Sequence, residues 1–178
     1  MQVILYASMM LVFNWRESAV NEMVTGTNAG SAQDFSCGFV SERSPETIYA
    51  AILDVRGWWS RNIEGPTDAL GEAWTYHNEP MHMSRQRTVE LVPGKRVVWD
   101  VEDGLLSFLE NPAEWVGDRI VFEITPEGTG HRLTFTQHGL TPDKQCYDIC
   151  DNSWSGYIMG SLRGLVETGQ GAPIPARG

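Results

Sequence analysis

In two stretches near the end of the chain, 118–125 and 131–138, large apolar residues recur at every second position. A period of two residues is typical of a strand that buries one face, because successive side chains point to opposite sides of a sheet. Pro126, Gly128 and Gly130 lie between the stretches and predict a turn. The pattern therefore predicts an antiparallel hairpin. Its inward-facing side chains are Ile120, Phe122, Ile124, Leu133 and Phe135.

Beyond Pro142 the apolar period changes to steps of three and four residues, and this spacing continues from Lys144 to Thr168. Such spacing places the apolar side chains along one stripe of a long helix. A helix with an apolar stripe must cover an apolar surface, and the buried face of the predicted sheet supplies one. The stripe consists of Tyr147, Cys150, Trp154, Tyr157, Ile158, Ser161, Leu162 and Leu165.

The remaining elements follow from coarser patterns. Ser44 is the expected cap of a helix that begins at Pro45 and ends at Leu53, and a second short helix or turn follows at 57–59. Further strands are predicted at 34–41, 72–77, 82–92 and 95–102, with a short one at 105–109. The predicted fold class is α+β: a curved antiparallel sheet of about six strands that grips a long C-terminal helix, with two short helices after the first strand.

We assign residues 34–170 to one folded domain, because a chain of 178 residues suits a single domain with room for an internal pocket. Residues 1–33 are expected to be a flexible or mis-assigned N-terminal extension, and residues 171–178 a C-terminal tail. The apolar run at 1–13 has no basic residue before it, is too short to span a bilayer and lacks a small-residue cleavage site. It therefore predicts neither a signal peptide nor a membrane anchor.

The net charge of the chain disfavours some classes of binding partner. Thirteen basic residues among 23 acidic ones give a net charge of −10 without a basic stripe, which argues against a nucleic acid or an anionic membrane. Cys37, Cys146 and Cys150 lack metal-binding spacing, so we expect buried, reduced thiols in a cytoplasmic protein. His77 and His82 flank a proline, but no third metal ligand is placed beside them. No metal or cofactor is therefore predicted.

Several segments resemble a known superfamily. They are 44–53, 57–59, 105–109, 114–115, 117–124, and Trp154 with Ser161 and Leu162. Together they look like the START-like helix-grip (Bet v-type) proteins, often called SRPBCC. Within that superfamily the resemblance is closest to the bacterial relatives of the C-terminal domain of activators of the heat-shock chaperone ATPase. It covers residues 34–169.

The resemblance implies a START-like domain over 34–170, with a hydrophobic cavity between the sheet and the C-terminal helix. Members of the superfamily bind lipids, polyketides, plant hormones or aromatic intermediates, and some catalyse cyclisation or dehydration. Since one fold serves many functions, the resemblance implies a cavity and leaves the reaction open.

Seven tryptophans are about four times the usual content, which is roughly one per hundred residues. Tryptophans suit the wall of a cavity for a flat apolar ligand, yet large aromatic side chains also fill ordinary cores. We expect two or three of them to touch the cavity. The predicted ligand-binding residues are Trp58, Trp59, Trp74, Trp99, Phe108, Trp115, Phe122, Phe135, Tyr147, Trp154 and Ile158.

His138 is the candidate catalytic residue. It ends the last predicted strand, where an imidazole could move a proton at the mouth of the cavity. Strict alternation opposes this placement, because His138 shares the parity of Thr134 and Thr136 and not that of the inward-facing Leu133. An exposed position is the alternative.

Four other charged residues are candidates of the same kind. Arg85 and Arg87 share one face of a strand, so they form either a clamp for a carboxylate ligand or part of a solvated face. Glu114 and Glu123 are candidate acids, although Glu123 alternates away from the apolar face of its strand.

The main hypothesis is a protein that binds a small hydrophobic or aromatic molecule in the cavity, as a monomer or a homodimer. The alternative is an enzyme of cyclase, dehydratase or hydrolase type that uses the same cavity. We disfavour the enzyme, because catalysis requires at least two convergent polar groups. A chaperone-associated stress protein is a third hypothesis, which only the resemblance suggests.

Overall fold

A computed structural model describes residues 33–176 of the protein. Within that range seven antiparallel strands form one sheet, in the order β1-β7-β6-β5-β4-β3-β2. The predicted α+β class is confirmed. The strands are β1 (Phe35–Ser41), β2 (Ile63–Glu64), β3 (Ala73–Asn78), β4 (His82–Val92), β5 (Arg96–Leu106), β6 (Arg119–Glu127) and β7 (Gly130–His138).

The sheet differs from the prediction at two places. Strand β2 has two residues, too few to show any period, and it pairs with β3 at the edge of the sheet. The separate strand predicted at 105–109 was wrong, because β5 continues to Leu106 and a turn follows. The pairing of β4 with β5 shifts register twice, and such irregularities bend long strands. The sheet is therefore able to curve around the helix.

The predicted hairpin of β6 and β7 is confirmed in position and parity. Phe122 lies opposite Phe135, and Ile124 lies opposite Leu133. The rings of Phe122 and Phe135 meet edge to face with their centres 5.2 Å apart. Each of these four side chains is at most 5% exposed, so they form the inner face of the sheet.

Two short helices follow β1, as predicted. Helix α1 (Pro45–Leu53) begins after Ser44, whose hydroxyl accepts the backbone N–H of Thr47 at 3.2 Å. Helix α2 (Val55–Trp58) follows at once. Trp58 is fully buried, and its indole N–H donates to the carbonyl of Ile52 at 3.2 Å.

The C-terminal helix begins at Tyr147, three residues after the predicted start at Lys144. The two residues before Tyr147 are held by another part of the chain. The carboxylate of Glu114 accepts the backbone N–H groups of Gln145 and Cys146, each at 2.9 Å. Glu114 lies 31 residues upstream of Gln145, so a local pattern could not show that it binds the N–H groups before the helix. The predicted start was therefore too early.

The helix consists of α3 (Tyr147–Ser155), a π-helical segment (Gly156–Leu162) and α4 (Arg163–Thr168). The π-helical segment was not predicted. A π turn holds more residues than an α turn, so it moves the buried stripe forward along the sequence. Val166 is accordingly buried near the end of the helix, where the pattern predicted Leu165.

The residues after the helix return to the body of the domain. Ile174 donates its backbone N–H to the carbonyl of Trp59 and accepts the N–H of Arg61, both at 2.9 Å. The prediction for 1–33 falls almost entirely outside the described residues, and the proposed domain limits remain predictions. None of the helices in 33–176 is long and apolar enough to cross a membrane.

Candidate functional site

A pocket of about 140 Å³ lies where the ends of β3, β4 and β5 meet helix α3. An apolar cavity of roughly 150 Å³ is known to hold benzene, so the pocket has room for about one aromatic ring. Six aromatic residues form much of its wall: Trp59, Tyr76, Phe108, Trp115, Trp154 and Tyr157. The other lining residues are Asn78, Met81, His82, Leu106, Ile149, Cys150 and Ser153.

Trp154 connects the pocket to the core. Its ring centre lies 4.9 Å from that of Trp59, 4.6 Å from that of Phe135 and 5.9 Å from that of Trp115. The side chain is only 1% exposed. Trp154 therefore forms a wall of the pocket and also packs against the inner face of the sheet.

A buried hydrogen-bond chain holds the Trp154 ring in place. The indole N–H donates to Oε1 of Gln137 at 2.7 Å, and Nε2 of Gln137 donates to Oδ2 of Asp118 at 2.7 Å. Burial raises the pKa of Asp118 to about 6, and nearby Glu114 and Asp34 add to the rise, whereas the bond from Gln137 opposes it. The chain thus ends in a carboxyl group that titrates near neutral pH.

Glu114 positions the pocket wall beside the start of α3. Burial alone would raise the pKa of Glu114, but the backbone N–H groups of Cys146 and Gln145 outweigh it and hold the pKa below its usual value. The neighbouring Trp115 donates its indole N–H to Sγ of Cys146 at 3.3 Å. Glu114 therefore acts as an ionised cap for the helix, and Trp115 as a fixed part of the wall.

His82 is the titratable histidine in the wall. Its ring lies edge to face between Tyr76 and Trp115, with centres 4.9 Å and 4.8 Å away. Burial lowers the pKa of His82 to about 4, so the imidazole is neutral at pH 7. Its Nε2 atom is buried and has no hydrogen-bond partner in the described part of the chain.

The inward side of β4 is polar from His82 to Thr88. His82 is followed at every second position by Ser84, Gln86 and Thr88, and these three are 0% exposed. We call these four residues the polar row. Within it, Nε2 of Gln86 donates to Oγ of Ser84 at 2.7 Å, whereas Oε1 of Gln86 and Oγ1 of Thr88 have no partner among the described residues.

We expect Thr88→Val to raise the free energy of unfolding by about 1 kcal/mol, because a buried hydroxyl without a partner costs about that much. Valine has nearly the same shape and suits a strand. Urea denaturation of the two proteins measures the difference. Thr67→Val is the matched control and should lose stability, because the hydroxyl of Thr67 donates to the carbonyl of Leu53 at 2.7 Å. A loss in Thr88→Val would contradict the prediction and indicate a bound water.

Comparison with known proteins identifies the family. The family model described as "Activator of Hsp90 ATPase homolog 1-like protein" matches residues 42–167. The chain belongs to this family. A search of curated proteins finds no significant match.

Several solved structures have the same fold as this chain, although their sequence identity to it is low. The Aha1 dimer from Colwellia psychrerythraea superposes with a TM-score of 0.63 at 21% identity, covering 78% of this chain and 99% of that one. The MLL2253 protein from Mesorhizobium loti gives 0.58 at 18% identity, covering 71% and 92%. The CalU16 protein from Micromonospora echinospora gives 0.54 at 13% identity, covering 79% and 80%. At these identities the similarity concerns the fold alone.

The structure divides the eleven predicted ligand-binding residues into three groups. Trp59, Phe108, Trp115 and Trp154 line the pocket. Tyr147 lies apart from them, on an open groove beside β1. The others pack in the core without lining the pocket: Trp58, Trp74, Trp99, Phe122, Phe135 and Ile158.

The candidate catalytic residue, His138, lies outside the pocket. The His138 side chain is 52% exposed, and its Nδ1 pairs with Oδ2 of Asp34 at 2.8 Å. The parity of the strand had indicated this exposed position. His138 and the pocket are therefore not brought together by the fold.

The charged candidates on the sheet are paired with other side chains. Arg85 and Arg87 both contact the carboxylate of Glu102 on the neighbouring strand, Arg85 at 3.4 Å. Glu123 contacts Arg96. The two arginines form part of a solvated face, and a ligand carboxylate would have to displace Glu102 to use them as a clamp.

The sequence analysis did not assign three notable pocket residues to the ligand site: Tyr76, Tyr157 and His82. The sequence contains a signal for the last of these, since neither parity of 82–88 is apolar, which is unusual for a strand with a buried face. Tyr157 lay on the predicted helical stripe but was not assigned to the site. Tyr76 carries no such signal.

The cysteines are free thiols in the described residues. Cys150 lines the pocket, and Cys146 lies one helical turn earlier. The hydrogen bond with Cys150, together with burial, raises the pKa of the Cys146 thiol far above its usual value, and burial raises that of Cys37 to about 12. Both thiols therefore stay protonated and unreactive at neutral pH. No cluster of three metal-ligating residues occurs in 33–176.

Proposed function

We propose that the protein binds a small aromatic or hydrophobic molecule, about one ring in size, in the pocket between the sheet and α3. The observation that carries the proposal is a pocket of about 140 Å³ with six aromatic residues in its wall. Aromatic walls around a small concave site are typical of sites for flat apolar ligands.

The size of the pocket selects among the ligands that the family resemblance implied. Sites for drug-sized ligands are roughly 300–1,000 Å³, so a lipid chain or a multi-ring compound would require the walls to move. A single ring requires no such movement. We therefore favour a carrier or sensor of small aromatic compounds over a lipid-binding protein.

The proposal also covers the cellular compartment and the oligomeric state of the protein. Three free cysteines support a reducing compartment, which we propose to be the cytoplasm. The Colwellia Aha1 protein was solved as a dimer, which supports the homodimer among the two oligomeric alternatives.

Titration with toluene tests the proposal. The amide chemical shifts of the full chain, measured by NMR, report the binding. We expect saturable shifts at the pocket residues. Ser153 is exposed on α3 and lines the pocket, so Ser153→Phe should fill the opening and weaken binding at least about tenfold, the equivalent of 1.4 kcal/mol.

Asn152→Phe is the matched control, because Asn152 is exposed on the same helix and does not line the pocket. It should bind toluene like the unmodified protein. Shifts that do not saturate, or equal weakening by both variants, would overturn the proposal.

The family match supports a second candidate function, the activation of a chaperone ATPase. The test is the ATPase rate of the host's Hsp90-type chaperone with and without an excess of this protein. A several-fold rise would establish the activity, and an unchanged rate would remove it as a function of this chain.

A further inference from the structure

The polar atoms without a partner are concentrated at one place in the described residues. Of the six such buried side-chain atoms, three belong to the polar row, and two more are the indole nitrogens of Trp74 and Trp99. These tryptophans lie directly beside the row, because Trp74 pairs with Gln86 and Trp99 pairs with Thr88 across the neighbouring strands. The residues that the structure describes supply no hydrogen bonds for these five atoms.

Such clustering shows that the described residues leave hydrogen bonds unmade along the polar row, so a partner from outside them can bind where a pocket reaches the row. In folded proteins about nine of ten buried polar groups are hydrogen-bonded, so five exceptions on β4 and its two neighbouring strands are not expected from chance packing. Gln86, Thr88, Trp74 and Trp99 are each at most 1% exposed. At the end of the row that a pocket reaches, the oxygen atom of a ligand is a group that can supply a missing hydrogen bond.

The row meets the pocket at His82. Of the four residues of the row, His82 is the one that lines the pocket. Its ring lies edge to face between Tyr76 and Trp115. A molecule in the pocket therefore contacts the row through the His82 imidazole.

The charge of the wall defines the class of this molecule. None of the thirteen lining residues is Asp, Glu, Lys or Arg. A ligand carboxylate or ammonium group would lose its hydration there without gaining a counter-ion. A neutral imidazole offers one N–H donor and one nitrogen acceptor, and a hydroxyl group can satisfy either of them.

We infer that the pocket takes an uncharged, single-ring aromatic compound with a hydroxyl group, of the phenol class, whose oxygen hydrogen-bonds the imidazole of His82. This inference rests on the proposed function, because it requires that the pocket binds a ring. The aromatic wall holds the ring, and His82 selects the hydroxyl group.

Phenol and toluene test the inference, because they have the same number of heavy atoms and differ by a hydroxyl in place of a methyl group. The dissociation constants of both are measured by NMR titration of the full chain at pH 7. His82→Phe keeps a flat ring between Tyr76 and Trp115 and removes the nitrogens. We expect this variant to weaken phenol about tenfold, the typical value of one hydrogen bond, and to change toluene by less than about twofold.

Arg85→Met is the matched control, since Arg85 lies on the outward face of the same strand, and it should change neither constant. The ¹⁵N resonances of the His82 ring give a second readout that needs no variant. Phenol should shift them and toluene should not. Benzoate, which carries a carboxylate, should not bind.

The outcomes separate the inference from the proposed function. Equal weakening of phenol and toluene by His82→Phe, or identical ring ¹⁵N shifts with both, would show that His82 is only part of the wall and would overturn the inference alone. Tight binding of benzoate would overturn it as well. The absence of binding by both neutral ligands would overturn the proposed function, and the inference with it.

Discussion

Trp154→Ala is expected to lower the free energy of unfolding by about 3–5 kcal/mol, the usual range for a buried tryptophan or phenylalanine that is truncated to alanine. The side chain is 1% exposed and packs against the rings of Trp59, Trp115 and Phe135. Truncation also leaves Oε1 of Gln137 without its indole donor. Urea denaturation at pH 7 measures the loss.

The same variant should gain a binding site for indole. The space left by the Trp154 side chain is continuous with the pocket, which already has a volume of about 140 Å³. Indole at a hundred times its dissociation constant would restore about 2.7 kcal/mol, because a ligand that binds only the folded state stabilises it by mass action. The melting temperature with and without indole checks this expectation.

Trp58→Ala is the matched control. Trp58 is as deeply buried as Trp154 but does not line the pocket. We expect a similar loss of stability but a smaller recovery by indole, because the space left by Trp58 is not enlarged by the pocket and has to fit the ligand by itself. Equal recovery of both variants would contradict the assignment of Trp154 to the pocket wall. Trp154→Phe, with a smaller loss, replaces the alanine variant if that does not fold.

The second large effect is a pH dependence that Asp118 introduces. Burial raises its pKa in the folded protein to about 6, compared with 3.8 in the unfolded chain. Above pH 6 both states are ionised, and the fold bears the cost of the buried charge. As the pH falls from 6 to 3.8 the folded protein takes up a proton that the unfolded chain does not, so the contribution of this group to stability rises.

Asp118→Asn should therefore raise the free energy of unfolding at pH 7 by about 2 kcal/mol, because a pKa rise of this size corresponds to about 3 kcal/mol and solvent screening reduces it. The amide oxygen of asparagine can still accept the hydrogen bond from Gln137. At pH 4 the advantage should disappear, because the native carboxyl is then protonated as well. Urea denaturation of both proteins between pH 4 and 8 measures the difference.

The comparison of the two proteins at each pH cancels the titration of other carboxylates, among them Glu114, whose lowered pKa gives the opposite slope below about pH 4.5. Asp68→Asn is the control for charge removal at an exposed position, and it should show no such pH-dependent advantage. A constant difference between pH 4 and 8 for Asp118→Asn would show that the carboxyl is not destabilised by its burial.

Prediction succeeded wherever the side-chain period was long and clean. The recurrence of large apolar residues at every second position, among them Phe122 and Phe135, was enough to predict β6, β7 and their inner face. The stripe through Cys150, Trp154 and Ile158 was enough to predict the helix that lies on the sheet. Both patterns extend over many residues, so an error at one position does not change the result.

Prediction failed where distant groups determine local structure. The helix starts at Tyr147 because Glu114 binds the N–H groups before it. The π-helical segment, which begins at Gly156, changes the residues per turn without a strong local signal. Strand β4 was predicted within its observed bounds, yet its polar inward face was overlooked because the outward face, with Arg85, is polar too.

The sequence is sufficient for the order of the elements, the antiparallel hairpin and the apolar stripe of the helix, because these depend on the local geometry of strands and helices. Tertiary packing was needed to show which four of the eleven predicted residues meet in one pocket, since its wall combines segments from Trp59 to Tyr157. The same holds for the low pKa of His82 and the high pKa of Asp118. Burial shifts both values, and burial depends on neighbours that are distant along the chain.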